Sequence, residues 1–240
     1  MPTVQPLLIT LEGSWVDQPI AAFDLETTGP DPLTARIVSY AIITLSASDR
    51  TLLRAAGIMQ PDGFDIPPEA AAVHGITNER ALAEGAPYDE GISVITRAFE
   101  FIASERWPLV VYNAPYDLTI LKREASTAPL PNVVIDPLVI DKTFDRYRKG
   151  SRTLGAVAEH YKVDLDDAHD ALADAVAAIH VARAMVRTYP QLSERTLNAL
   201  HFDQVAWYAE NTASFEKYLR EKKNDPTITL NREWPTRTLP

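Results

Sequence analysis

Hydrophobic and polar positions follow two periods along this chain. Residues 19–30 hold an apolar run (Ile20, Ala21, Ala22, Phe23, Leu25) that ends at Gly29-Pro30, the pattern of a buried strand closed by a turn. Residues 36–45, with Ile37, Val38, Tyr40, Ile42 and Ile43, predict a second strand. A polar turn at 46–50 leads to a third over 51–59. Three strands so closely spaced predict an antiparallel meander. The period then lengthens. Pro68 and Gly75 bracket a short helix. Ile92, Ile95, Phe99 and Ile102 recur at spacings of 3, 4 and 3 and predict an amphipathic helix over 88–104.

Strand and helix alternate after that. The run 109–112 predicts a buried strand, 114–126 a helix with Leu118, Leu121 and Ala125 on one side, and 133–135 a short strand ending at Asp136-Pro137. A polar loop at 148–151 precedes a helix over 153–161. A long helix follows over 170–188, with Leu172, Ala175, Ile179, Ala182 and Val186 facing the core. Pro190 stops it, residues 197–223 form a further helix, and the proline-containing stretch 224–240 reads as irregular. Strands first, then alternation, give an α/β fold with a mixed sheet.

A length of 240 residues allows one large domain, or one domain of about 150–190 residues with an extension. The pattern divides into an N-terminal arm, 1–18, in which residues 7–11 form a short strand or a docked arm; a central domain, 19–189; and a C-terminal helical extension with an irregular tail, 190–240. The chain lacks an apolar run of membrane-spanning length and a basic-then-apolar leader, so a cytoplasmic protein without a membrane partner is expected. The absence of cysteine excludes disulfides and thiolate metal sites. A net charge of −10 argues against a large duplex footprint, but not against a small acidic pocket in which metal ions bridge carboxylates to phosphate.

Three clusters carry candidate chemistry. Asp24 and Glu26 interrupt the first apolar run two residues apart, which in a strand places both on one face with Cα atoms roughly 6.6 Å apart. Such a pair is costly to desolvate, and its all-oxygen donors suit a hard cation, Mg²⁺ or Mn²⁺; a solvated strand end is the bland alternative. Asn113-Ala-Pro-Tyr-Asp117 closes a strand and opens a helix, placing Asp117 in the first turn, where simple capping is the alternative. In His169-Asp-Ala-Leu-Ala-Asp174, Asp170 reads as an N-cap and Asp174 lies about one turn inside. His169 at the helix mouth is a candidate general base or an ordinary turn residue. Four acids and one histidine thus sit at strand ends and helix starts, which α/β sheets gather at one edge. Two divalent ions about 3.5–4 Å apart would offset their repulsion and form a phosphoryl-transfer site.

In this order the segments Asp24-Leu-Glu-Thr-Thr-Gly29, Asn113-Ala-Pro-Tyr-Asp117 and His169-Asp-Ala-Leu-Ala-Asp174 resemble the three motifs of the DEDD exonuclease superfamily. The histidine is similar to that of its histidine branch, which includes the proofreading subunit of bacterial DNA polymerase III, ribonuclease T and oligoribonuclease. The resemblance spans about residues 19–187, with Val73-His-Gly-Ile-Thr77 and the segment 152–161 as secondary matches. It implies a ribonuclease H-like fold, a five-stranded mixed sheet flanked by helices. It further implies removal of nucleotides from single-stranded 3′ ends as 5′-monophosphates, with two Mg²⁺ or Mn²⁺ ions per site.

By the same resemblance Asp24, Glu26 and Asp174 hold one ion, Asp24 is shared with a second that Asp117 supports, and His169 takes a proton from the attacking water. Thr27 and Thr28 lie beside the terminal sugar, His74 approaches the same nucleotide or simply caps the end of its helix, Tyr116 supplies an aromatic ring where the family commonly has Phe, and Leu25 and Asn113 complete the substrate-binding set. DNA is the favoured substrate, with an oligoribonuclease or RNA-trimming role as the alternative. A non-catalytic scaffold subunit would have lost an acid or the histidine, and none is lost here. Outside the resemblance, Trp207, Tyr208, Phe215, Tyr218 and Trp234 read as packing residues, with a homodimer surface or a polymerase-docking segment as the alternative.

Overall fold

A computed structural model describes residues 14–165 and 170–239. The arm at residues 7–11 and His169 lie outside the described residues. Five strands form one mixed sheet: β1 (Ile20–Thr27), β2 (Ile37–Leu45), β3 (Thr51–Ile58), β4 (Leu109–Val110) and β5 (Val134–Ile135), in the order β3-β2-β1-β4-β5. The β1-β2-β3 meander is antiparallel, and β4 and β5 add in parallel beyond β1. This is the five-stranded arrangement flanked by helices that the resemblance implies.

Helices cover both faces of the sheet, so β2, packed on both sides, is buried along its whole length. On one face Ile20, Ala22, Ala41 and Ile43 pack with Ala175, Ile179 and Ala182 of α7 (Ala171–Thr188). On the other, Ala21, Phe23, Leu25 and Ile42 meet Ile95, Phe99 and Ile102 of α3 (Tyr88–Glu105) and Leu118 and Leu121 of α4 (Ala114–Glu124). Phe23 and Phe99 meet edge-to-face at 5.1 Å, a geometry that suits the ring quadrupoles. Among the described residues no helix is long and apolar enough to cross a membrane.

The expected helices are present: α1 (Pro68–His74), ended by Gly75 at φ 73°, then α3, α4, α6 (Leu154–His160), α7 and α8 (Leu197–Lys223). Gly75 fits because a left-handed φ carries no Cβ penalty in glycine. Two helices add to the sequence reading. In α2 (Asn78–Glu84) Thr77 caps by accepting the Arg80 N–H at 3.2 Å. In α5 (Pro137–Phe144) Asp136 caps by accepting the Leu138 N–H at 3.0 Å, and Pro137 opens the first turn.

Asp141 of α5 is fully buried and organises the loop that follows. It pairs with Arg148 at 2.7 Å and with Arg152, and accepts the Tyr161 hydroxyl at 3.2 Å. Removing one member of a buried ionic network strands the others. We expect Asp141→Ala to cost about 3–5 kcal/mol, read as a lowered denaturant midpoint.

The C-terminal helix α8 covers the open edge of β5. His201 accepts the Val134 N–H through Nδ1 at 3.1 Å, and Gln204 donates to the Val134 carbonyl at 3.1 Å. Gln204 also accepts the Asp136 N–H at 2.7 Å. These side chains satisfy backbone groups that an edge strand would otherwise leave without partners. The aromatic residues of this region divide: Trp234 is buried, Trp207 and Tyr208 pack against the core, and Phe215 and Tyr218 are about half exposed, at 53% and 49%.

Candidate active site

The end of β1 carries two acids on one face because the strand period is two. Asp24 lies opposite Ala41 and Glu26 opposite Ser39, on the side of the sheet that α7 covers. Asp170 caps α7, its Oδ1 accepting the N–H groups of Leu172 and Ala173 at 3.0 and 3.1 Å. This cap fixes the first turn, from which Asp174 projects. One carboxylate oxygen each from Asp24, Glu26 and Asp174 fall within 4.8 Å of one another.

Asp117 arrives from the other side, in the first turn of α4. It is 4% exposed, and its Oδ1 accepts the Leu25 N–H at 3.1 Å, joining α4 to β1 between the two acids of that strand. The helix begins at Asn113, which adopts a left-handed conformation at φ 65°.

Burial and mutual repulsion act on the whole group. Burial first, then the charges of Asp117, Asp174, Glu26 and Asp170, raise the Asp24 carboxyl well above the usual range. Burial is also the main cause of the rise at Asp117, with Glu26 and Asp136 adding to it. Burial and the charges of Asp174 and Asp170 push Glu26 up to about 7. A site whose acids resist ionisation to this degree is short of positive charge.

A hard divalent cation fits the donor set. All three clustered donors are carboxylate oxygens, the type Mg²⁺ and Mn²⁺ prefer. Two ligands at about 2.1 Å from one ion lie at most about 4.2 Å apart, so a small side-chain adjustment closes the observed cluster around an ion.

One depression lies at Asp24 and Asp117, and a second begins at the Asp170 cap of α7. A cleft of about 480 Å³ is lined by Asp24, Leu25, Asn113, Tyr116, Asp117 and Arg152, among others. A larger groove of about 1340 Å³ runs between α7 and the β2-β3 side of the sheet, and it includes His74, Asp170 and four cations: Arg54, Arg80, Lys162 and Arg187.

Not every expected substrate residue lies at the acids. Leu25, Asn113 and Tyr116 share the cleft with Asp24 and Asp117, whereas His74 lines the larger groove, where its Nδ1 accepts the Ile76 N–H at 3.1 Å. The Tyr116 hydroxyl donates to the Gly29 carbonyl and meets the Thr27 hydroxyl, so it ties the turn after β1 to α4. The Thr28 hydroxyl accepts the Arg36 N–H at 2.9 Å. Both threonine hydroxyls therefore shape the turn.

Asp136 is a further participant. It is fully buried and accepts the N–H groups of Asn113 and Ala114 at 3.0 and 2.9 Å, besides capping α5. The residue that follows β5 thus also secures the start of α4. The Asp-Pro pair after an apolar strand is a helix-start signal that could have exposed the α5 cap, but its reach to α4 has no local signature.

A mixed sheet thus gathers acids where β1, α4 and α7 meet. Residues 21–182 match the exonuclease (RNase_T) family, and the chain belongs to that family. It is 31% identical over 180 residues to a DNA polymerase III subunit epsilon-like protein of Rhodobacter capsulatus, covering 73% of this chain and 24% of that protein. It is 29% identical over 168 residues to the DNA polymerase III subunit epsilon of Rickettsia conorii, covering 66% of this chain and 69% of that one. Among solved structures, E. coli exonuclease I in complex with a dA16 oligonucleotide aligns with a TM-score of 0.61 at 18% identity, over 82% of this chain and 45% of that one. This chain therefore spans about a quarter of the Rhodobacter relative and less than half of exonuclease I.

Proposed function

We propose that this protein is a metal-dependent 3′→5′ exonuclease that shortens single-stranded DNA and releases nucleoside 5′-monophosphates. The observation that carries this reading is the gathering of Asp24 and Glu26 of β1 with Asp174 of α7, beside Asp117 of α4, in a cluster that is costly without a cation. The epsilon relatives and the oligonucleotide held by exonuclease I support DNA as the substrate.

Asp24, Glu26 and Asp174 would hold one Mg²⁺ or Mn²⁺ ion, and Asp24 with Asp117 would serve a second. When bound, such ions make water nucleophilic at neutral pH and neutralise charge on the leaving oxygen. The chain's own groups do the rest. His169, as in the histidine branch, accepts the proton of the attacking water. Asn113 and Tyr116 line the cleft for the terminal nucleotide, and the Leu25 backbone holds Asp117 in place.

The larger groove supports a single strand approaching the acids. Its four cations outnumber its two carboxylates, Asp164 and Asp170, in a chain whose overall charge is −10. We expect Arg54→Glu with Arg187→Glu to raise KM for a long oligonucleotide and to flatten its salt dependence, by a slope of about 0.7 per lost phosphate contact. Hydrolysis of a dinucleotide should be unchanged, since it does not reach the groove. An equal loss on both substrates would remove the groove from the path.

The function itself is tested with a 5′-labelled single strand and Mn²⁺. The expected product is a ladder shortened from the 3′ end, with 5′-monophosphates released. A parallel substrate with ribose only in its last nucleotides separates DNA from RNA preference. Internal cleavage, or no cleavage at all, would defeat the reading.

A further inference from the structure

We infer that the tail after α8 is a strap that holds the first turn of α4, and with it Asp117, in the geometry of the acidic site. The inference rests on the exonuclease reading for its effect on activity. Its structural content stands on contacts alone.

The strap is fastened at one end to α8. Asn224 turns the chain in a left-handed conformation, and Glu216 of α8, 2% exposed, accepts the Leu230 N–H at 2.8 Å and pairs with Arg232 at 2.9 Å. A buried carboxylate with that set of donors anchors an otherwise irregular segment.

At the other end the strap reaches α4 by two separate routes. Trp234 is 6% exposed and donates its indole N–H to Asp136 Oδ2 at 3.3 Å. That same oxygen accepts the Ala114 N–H, while Oδ1 accepts that of Asn113. The second route is through Thr119. The Arg237 N–H donates to the Thr119 hydroxyl at 2.9 Å, and this hydroxyl donates to the Pro115 carbonyl at 2.6 Å. Both routes end on residues 113–115, immediately before Tyr116 and Asp117.

Helix starts leave backbone N–H groups without partners inside the helix. Here a neighbouring carboxylate takes two of them, and its remaining capacity is filled by α5 and the strap. Gln204 fixes the same residue through its backbone N–H. Asp136 is thus a hub on which α4, α5, α8 and the tail converge, and Trp234 and Thr119 are positioning residues for Asp117. With its Oδ1 held by the Leu25 N–H, Asp117 takes its remaining freedom from the first turn of α4, so loosening that turn shifts a carboxylate of the metal site.

The test uses two full-length variants. Trp234→Phe keeps an aromatic side chain, though a smaller one, and removes the N–H. Thr119→Val keeps the volume and removes the hydroxyl. In the metal-free protein, hydrogen exchange of the amides of Asn113, Ala114, Tyr116 and Asp117 should quicken about tenfold or more, the scale of one lost hydrogen bond to a charged or buried partner. Exchange in β1–β3 should not change. Mn²⁺ binding without substrate, followed by water-proton relaxation, should weaken several-fold, and kcat should fall while KM for the oligonucleotide stays the same.

A variant that speeds exchange uniformly, or one with local exchange and Mn²⁺ affinity like the parent, would overturn the strap. If the parent protein lacks metal-dependent hydrolysis, the nuclease reading fails, and the exchange pattern still decides whether the strap exists.

Discussion

Asp24→Asn should abolish metal-dependent digestion and, in the metal-free protein, raise the melting temperature. The two effects have one cause. Asp24 sits beside Asp117, Asp174, Glu26 and Asp170, and burial adds to their repulsion. Replacing its carboxylate with an amide relieves the most crowded charge in the group. Each kcal/mol so gained raises the melting temperature by about 2–4 °C for a protein of this size. The same change takes the negative charge and one of two oxygens from a ligand shared by both expected ions. Loss of partners that merely orient metal ligands costs about 10–100-fold, so loss of a ligand should cost more. Thermal melts with a chelator present, and digestion with Mn²⁺, check both halves. A lower melting temperature, or activity near that of the parent, would count against a shared metal site.

Metal-free stability should fall as pH rises through the weakly acidic range, and divalent ions should reverse that fall. The Glu26 carboxyl is held up at about 7 in the fold against 4.5 as its ordinary value. The folded state therefore keeps a proton that the unfolded state releases. Stability from this source is fully present below about pH 4.5 and is lost as pH rises to about 7. At about 1.4 kcal/mol per pH unit the loss is on the order of 3 kcal/mol. Asp24 and Asp117 shift in the same direction and deepen it. Mn²⁺ at about 100 times its dissociation constant adds roughly 2.7 kcal/mol, and its binding tightens as the acids ionise. Denaturant midpoints at pH 5 and 8, with and without Mn²⁺, provide the check. Equal midpoints in all four conditions would mean that the acids are not short of positive charge.

Local pattern carried the fold where pattern is local. The two-residue period of β1 placed Asp24 and Glu26 on one face, and Pro68 with Gly75 bounded α1. α5 escaped because its eight residues are too short for a clear helical period, although the Asp136 cap and Pro137 start a helix there. α2 escaped because Asn78–Glu84 is short, with a single buried residue, Ala81, and so has almost no periodicity. The tail read correctly as irregular, yet its Trp234 enters the core and binds Asp136.

The site divided in the same way. Asp24, Glu26, Asp117 and Asp174 were legible because each stands at a strand end or helix start that the sequence marks. Residues that work through distant partners were not. Tyr116 offers a ring to the eye but spends its hydroxyl on Gly29 and Thr27. Gln204 and His201 look like ordinary polar positions on a helix, and only the edge of β5 gives them a purpose.

The most direct measurement is anomalous diffraction from a crystal grown with Mn²⁺. It should show an ion bound by Asp24, Glu26 and Asp174, and a second on the Asp117 side of Asp24. Carboxylates left without manganese, or turned away from one another toward solvent or arginine, would contradict a metal-dependent nuclease.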